Sequence, residues 1–302
     1  MALPPSDPGA RRVLVTGLGG FTGRYVADEF ERAGYTVHGL SRASGRVDLL
    51  DAAAVHAAVA DIRPQAVIHL AAVAFVAHGD VDAIYRTNII GTRHLLAALA
   101  ALSKPPSTVV LASSANVYGN AAGRAGPLGE DTSAAPTNDY AVSKLAMEYM
   151  ARTWSNRLPL VITRPFNYTG VGQDTRFLIP KIVDHFRRGE RHIELGNLDV
   201  SREFMDVRTV AWVYRRLLET AGIGDGDTFN ICSGTSHSLR EVLAMMADIA
   251  GYTIEVGVNP AFVRDNEVGR LEGNPALLHS RIGMPAPRPL MDTLRWMYQA
   301  PC

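Results

Sequence analysis

The chain has 302 residues, with 30 Lys and Arg against 30 Asp and Glu and a formal net charge of zero. This balance argues against a nucleic-acid or acidic-membrane partner. The length suits one large or two modest domains, and no apolar run approaches the roughly 20 residues that cross a bilayer. Only two cysteines occur, Cys232 in an apolar segment and Cys302 at the last position, so no structural disulfide is expected. The nine histidines show no ligand spacing, so no metal is expected either.

Residues 1–10 are rich in Pro, Ala and Gly and lack a charged-then-apolar leader pattern, which predicts a disordered tail and a cytoplasmic protein. From residue 12 the apolar patterns alternate. Strands are predicted at 12–16, 35–40, 66–70, 108–113 and 159–164, and helices at 22–33, 52–60, 82–102 and 138–156. Such alternation predicts an α/β fold, a doubly wound parallel sheet of Rossmann type, over residues 11–166. After Pro165 the pattern changes to loops, short strands and separate helices at 176–188, 207–221, 238–250 and 290–299, which predicts a smaller C-terminal substrate-binding lobe.

The first strand runs into Gly17-Leu18-Gly19-Gly20-Phe21-Thr22-Gly23 and then a helical pattern. Strand, glycine turn and helix form the context of a dinucleotide-binding loop, in which phosphates meet free N–H groups at the helix N-terminus. Gly17, Gly20, Phe21, Thr22 and Gly23 are therefore candidate cofactor contacts. An NAD-preferring site places an acid about 20 residues beyond the glycines. Here the second strand ends in Ser41-Arg42, with no acid until Asp48. Arg42 and Ser41 suit a 2′-phosphate through a charge-assisted fork, so NADP(H) is expected, with NAD(H) as the alternative.

Two further segments carry chemistry. An apolar strand ends at Ser113-Ser114, and ligands of open parallel sheets sit beyond the carboxyl ends of strands. Ser114 is placed to hydrogen-bond a substrate oxygen, or else to satisfy its own turn. Tyr140 and Lys144 stand at i and i+4, on one helix face. A phenol has a pKa of about 10, and a neighbouring ammonium lowers it, which fits a proton donor or acceptor at a sugar oxygen. Alone, the same spacing also describes an amphipathic helix with a solvated lysine.

Together, in this order, the glycine loop, Ser114, Tyr140 and Lys144 resemble the extended short-chain dehydrogenase/reductase family, over about residues 11–300. The resemblance implies Ser114, Tyr140 and Lys144 as catalytic residues. It implies Asp48-Leu49 at the adenine, Leu70, Ala71 and Ala72 of His69-Leu70-Ala71-Ala72 beside adenine and ribose, and Asn88 as a structural asparagine. Arg164-Pro165-Phe166-Asn167 resembles the segment in which Pro165 and Phe166 pass the nicotinamide and Asn167 reaches the nucleotide sugar. Residues 200–232 are expected to return to the first domain, leaving 167–199 and 233–302 as the lobe. The second half resembles the GDP-6-deoxy-4-keto-D-mannose reductase branch in 164–173, 195–208 and 229–234. That implies a GDP-sugar substrate and hydride transfer to C4.

Expected substrate contacts are Ser114 and Asn116 near the sugar, Asn167 at a phosphate or sugar hydroxyl, Phe177, Ile179 and Lys181 at the base, and Arg202 with Arg264 at the diphosphate. Phe177 and Ile179 fit a lobe core equally well. Dehydratases of this family carry an acid at the position of Asn116, and an amide cannot supply their proton. A 4-epimerase with retained NAD is the main rival reading, ahead of GDP-mannose 4,6-dehydratase and a non-catalytic dinucleotide sensor. Family members dimerise through two helices, and Leu95, Leu96, Leu99, Met147 and Met150 fit such a homodimer or a monomer core.

Overall fold

The computed structural model describes residues 11–42, 45–74, 80–123, 126–224, 226–260, 269–286 and 288–301, without the side chains of residues 41, 42, 46 and 120–123. The predicted tail at 1–10, Arg264 and Cys302 lie outside these residues.

In chain order the first part runs β1 (Arg11–Thr16), α1 (Phe21–Arg32) and β2 (Tyr35–Gly39), then a small hairpin of β3 (Ser41–Arg42) and β4 (Gly45–Arg46). It continues through α2 (Ala52–Ile62), β5 (Ala66–His69), α3 (Val81–Tyr85), α4 (Thr92–Ala100), β6 (Val109–Ala112), α5 (Asp139–Arg152) and β7 (Leu160–Pro165). The remainder comprises β8 (Tyr168–Thr169), α6 (Leu178–Arg187), β9 (His192–Leu195), β10 (Ser201–Arg202), β11 (Met205–Asp206), α7 (Val207–Glu219) and β12 (Asp227–Ile231). It ends with β13 (His237–Ser238), α8 (Leu239–Ala250), β14 (Glu255–Val258), β15 (Arg270–Leu271), α9 (Ala276–Ile282) and α10 (Leu290–Gln299).

Six strands form one parallel sheet in the order β12-β7-β6-β5-β1-β2. This is the doubly wound α/β sheet that the alternating pattern predicts. Successive side chains of a strand face opposite ways. Val13 and Val15 accordingly join Val26 and Phe30 of α1 and Val210, Tyr214 and Leu217 of α7 on one face. Leu14 joins Val55 of α2, Leu95, Leu96 and Leu99 of α4 and Met147 of α5 on the other. Those leucines and Met147 are core, with Met150 packed at its margin. A separate apolar cluster gathers α6, α8, α10 and β9 around Ile182, Phe186, Val242, Met246 and Leu294. No helix among the described residues is long and apolar enough to cross a membrane.

One predicted element is divided. The helix expected over 82–102 is α3 and α4 joined by a π-helical turn, Arg86–Gly91. The turn keeps the apolar face running, which is why periodicity misses it. It sets Asn88 inward, buried, with its side chain bridging the backbone of Val73 (2.9 and 3.1 Å) and Ser143 Oγ of α5 (3.0 Å). Single π turns inside helices recur at functional sites.

Candidate active site

The chain steps from β1 outward to β2 and returns to β5 on the far side of β1. Strand order reverses there, so the carboxyl ends of β1 and β5 open on the crevice where ligands of such sheets bind. Gly17 leaves β1 at φ +75°, in the left-handed region, and a side chain there would meet the Ala71 nitrogen at 3.0 Å. Gly20 donates its N–H to the Gly17 carbonyl (2.9 Å). A methyl on Gly23 would lie 2.3 Å from the same carbonyl. Gly20 caps α1 with no side-chain hydrogen bond, the first turn carries no acid, and a side chain at Gly19 would meet nothing within 4 Å. A close-wound loop with an uncapped, acid-free helix start beside open space fits a pyrophosphate.

Around this loop, Phe21 stacks on Tyr168 (ring centroids 6.3 Å apart, 12° between planes), and Thr22 Oγ1 lies 2.8 Å from Tyr168 Oη. Ala71 donates its N–H to Thr16 Oγ1 (3.2 Å), while Leu70 and Ala72 are half-buried next to it. Asp48 accepts the Leu50 N–H (2.9 Å) in a local turn, and Leu49 is buried in the core between α2 and α4. Ser41 and Arg42 form an edge strand whose side chains lie outside the described set.

Ser114, Tyr140 and Lys144 converge. Ser114 follows β6. Asn138 caps α5 by accepting the Ala141 N–H (2.9 Å) and so fixes the turn that presents Tyr140. The Ser114 hydroxyl accepts the Asn116 N–H (3.2 Å) and lies close enough to the Tyr140 phenol to favour its ionisation. Lys144 is buried, donates Nζ to the Ala112 carbonyl (2.7 Å), and stands 5.9 Å from the Tyr140 ring centroid.

The electrostatics differ from the sequence expectation. Burial, reinforced by nearby Tyr168 and opposed by the neighbouring Ser114 hydroxyl, pushes the Tyr140 phenol up to about 12. Burial also draws Lys144 down to about 8, against the pull of Glu148. Desolvation outweighs the ammonium's effect on the phenol, so Tyr140 holds its proton at neutral pH.

The expected substrate contacts do not gather in the same way. Phe166 is buried with Ala115, Val117 and Tyr118. Asn167 is half-buried beside it and accepts the Met205 N–H on its carbonyl (3.0 Å). Phe177 sits at the start of α6, 48% exposed. Ile179 belongs to the apolar stripe Ile179-Ile182-Val183-Phe186 that faces the lobe core, the second of the two placements the sequence left open for it. Lys181 donates Nζ to the Glu194 carbonyl (2.7 Å), and Arg202 on β10 donates to the Ser201 carbonyl (2.9 Å). Arg264 lies outside the described residues.

A second buried group went unread in the sequence. Arg164 makes a two-pronged pair with Glu148 (3.0 and 2.7 Å) and donates to Tyr118 Oη (3.1 Å), which donates to Asn230 (2.7 Å). Glu148 lies at i+4 from Lys144, and that spacing was the available signal.

The profile of the NAD-dependent epimerase/dehydratase family matches residues 13–232. The chain belongs to this family, of the extended short-chain dehydrogenase/reductase type. It is 35% identical to the GDP-6-deoxy-D-mannose reductase of Pseudomonas aeruginosa, covering 94% of this chain and 95% of that one. It is 31% identical to the GDP-6-deoxy-D-talose 4-dehydrogenase of Aggregatibacter actinomycetemcomitans, covering 90% and 91%. Among solved structures, a Burkholderia cenocepacia J2315 chain, only provisionally described as an epimerase, is 52% identical with a TM-score of 0.89, covering 95% and 97%. RMD from Pseudomonas aeruginosa, solved with NADPH, is 33% identical with a TM-score of 0.84, covering 96% of each chain. Related structures hold NADPH or NAD, and both dinucleotides fit this family site. The relatives are nucleotide-sugar enzymes of the oxidoreductase and epimerase kind.

Proposed function

We propose that this protein reduces C4 of GDP-4-keto-6-deoxy-D-mannose with NADPH, giving GDP-D-rhamnose. The observation that carries the reading is the convergence of Ser114, Tyr140 and Lys144 with an amide at Asn116, in a chain similar to a GDP-6-deoxy-D-mannose reductase over nearly its whole length. The bound dinucleotide supplies the hydride. Ser114 hydrogen-bonds the C4 oxygen and aims the carbonyl. Tyr140, protonated at neutral pH because it is buried, donates its phenolic proton to that oxygen as C4 becomes an alcohol carbon. Lys144 holds the nicotinamide ribose side while anchored to the Ala112 carbonyl. Asn116 offers no acid for loss of water from C6, which favours reduction over dehydration.

The proposal divides the chain into a dinucleotide domain, which includes β12 and α7, and a substrate lobe at 167–199 and 233–302. Arg202 and Asn167 serve the diphosphate and sugar. Val81, Ile90, Val142 and Tyr149 are exposed apolar residues on α3, the π turn and α5, and they support a homodimer through this face.

A second reading differs only at C4. Similarity to a GDP-6-deoxy-D-talose 4-dehydrogenase favours the C4 epimer, formed when the sugar presents its other face. The deciding assay follows NADPH and NADH consumption with the 4-keto sugar nucleotide generated in place, then proton couplings at C4. Rapid NADPH loss with a GDP-6-deoxyhexose product supports the reductase, and the couplings name the isomer. Absence of consumption, with NAD retained through purification, moves the protein to the epimerases.

A further inference from the structure

Between the glycine loop and the helix of Tyr140 runs a buried chain of hydrogen bonds whose direction can be assigned. Thr92 Oγ1 donates its single proton to the Asn88 backbone carbonyl (2.8 Å) and lies 2.8 Å from His69 Nε2. Thr92 therefore accepts from His69, which must carry its proton on Nε2 and accept at Nδ1. Thr16 Oγ1, 2.6 Å from that Nδ1, donates to it and keeps a lone pair for the Ala71 N–H. On the far side the Asn88 amide donates to Ser143 Oγ (3.0 Å), which donates to the Tyr140 carbonyl (2.8 Å). Thr16, His69, Asn88, Thr92 and Ser143 are all buried, so water cannot substitute for a missing partner. Burial, with Lys144 adding repulsion, holds the imidazole down to about 3, and it is neutral as the chain of bonds requires.

The two ends matter. Thr16 immediately precedes Gly17, which packs against Ala71 with no room for a side chain. The Tyr140 carbonyl belongs to the helical turn that carries both Tyr140 and Lys144. His69 is the one member joining β5 to both sides, through Thr16 of β1 and Thr92 of α4.

We propose that His69 is a positioning residue that couples the setting of the dinucleotide loop to the helical turn bearing Tyr140 and Lys144. It rests on the dinucleotide part of the proposed function and not on the sugar. A change at the helix end of the chain of bonds then reaches the cofactor through His69.

The test titrates NADPH and NADH, without any sugar, against the wild type, Ser143→Ala, His69→Gln and the double variant. The Gln amide keeps a donor near Thr92 and removes the acceptor for Thr16. The expected result is that Ser143→Ala weakens dinucleotide binding about 5-fold when His69 is present, at the low end of coupling between sites. In the His69→Gln background the same change should cost less than about 1.5-fold, because the path is already cut. If His69→Gln does not fold, Thr92→Val cuts the next bond and serves as the second background. An equal loss from Ser143→Ala in both backgrounds would overturn the proposal, and a purely structural histidine gives that result together with a lower Tm. A wild type that binds NADPH yet leaves the GDP-sugar untouched sinks the substrate reading and leaves the coupling measurable.

Discussion

The β1–β5 crevice and the C-terminal lobe are built on different principles. In the crevice, backbone atoms and fully buried polar groups set every distance: glycines at 17, 20 and 23, the His69 chain of bonds, and Lys144 on the Ala112 carbonyl. In the lobe, the residues expected at the substrate are mostly long or exposed side chains. Ile179 packs inward, Lys181 and Arg202 reach backbone carbonyls, and Phe177 is half-exposed. The first region is preorganised before any ligand arrives. In the second, long side chains reach backbone carbonyls, Lys181 that of Glu194 and Arg202 those of Ser201 and Gly269.

The largest expected effect tests the preorganised side. Tyr140→Phe removes the proton donor and leaves the ring and the Lys144 anchor in place. It should lower kcat by about 10²–10⁴-fold, the span of general acid–base effects, while the NADPH Kd stays within a few-fold. Steady-state kinetics beside a fluorescence titration check this. A large loss of NADPH affinity would make Tyr140 a binding residue and weaken the contrast between the two regions.

What was legible in the sequence follows the same division. A glycine loop, a Tyr-x-x-x-Lys helix and a strand ending in serine depend on backbone and spacing, and those survive in a linear reading. The π turn at 86–91 was not legible, because the apolar positions before and after it stay in phase with one long helix. The phenol's raised pKa was missed because spacing reveals the ammonium beside Tyr140 but not the burial around it. Ile179 was open between base and core because an amphipathic stripe does not name its partner surface.

A smaller effect comes from pH. His69 titrates near 3 in the fold and about 6.5 when exposed, so the fold keeps it neutral. Between those values the unfolded chain binds a proton that the folded chain refuses, and the contribution of His69 to stability falls as pH drops below 6.5. The expected slope from this group is about 1.4 kcal/mol per pH unit. Urea midpoints from pH 7 to 5 should show it in the wild type and lose that share in His69→Gln. A slope unchanged by the substitution would assign the acid lability to other groups and leave His69 solvated in the working protein.

The smallest effect belongs to the lobe and separates two neighbours on α6. Phe177, half in solvent at the start of the helix, is free to pack on a nucleobase, and Ile179, one face away, is committed to the core. Stacking of an aromatic side chain on a base contributes about 1–3 kcal/mol. An open ring with one wet face belongs at the low end, so Phe177→Ala should raise the KM for the sugar nucleotide about 5-fold with the Tm unchanged. Ile179→Ala should do the reverse, costing about 2–4 kcal/mol of stability through the cavity it leaves, with KM per folded molecule unaffected. A KM that responds to Ile179 and not to Phe177 would mean that α6 rotates when substrate enters, and the lobe core drawn by the free chain would then be a resting arrangement that binding rearranges.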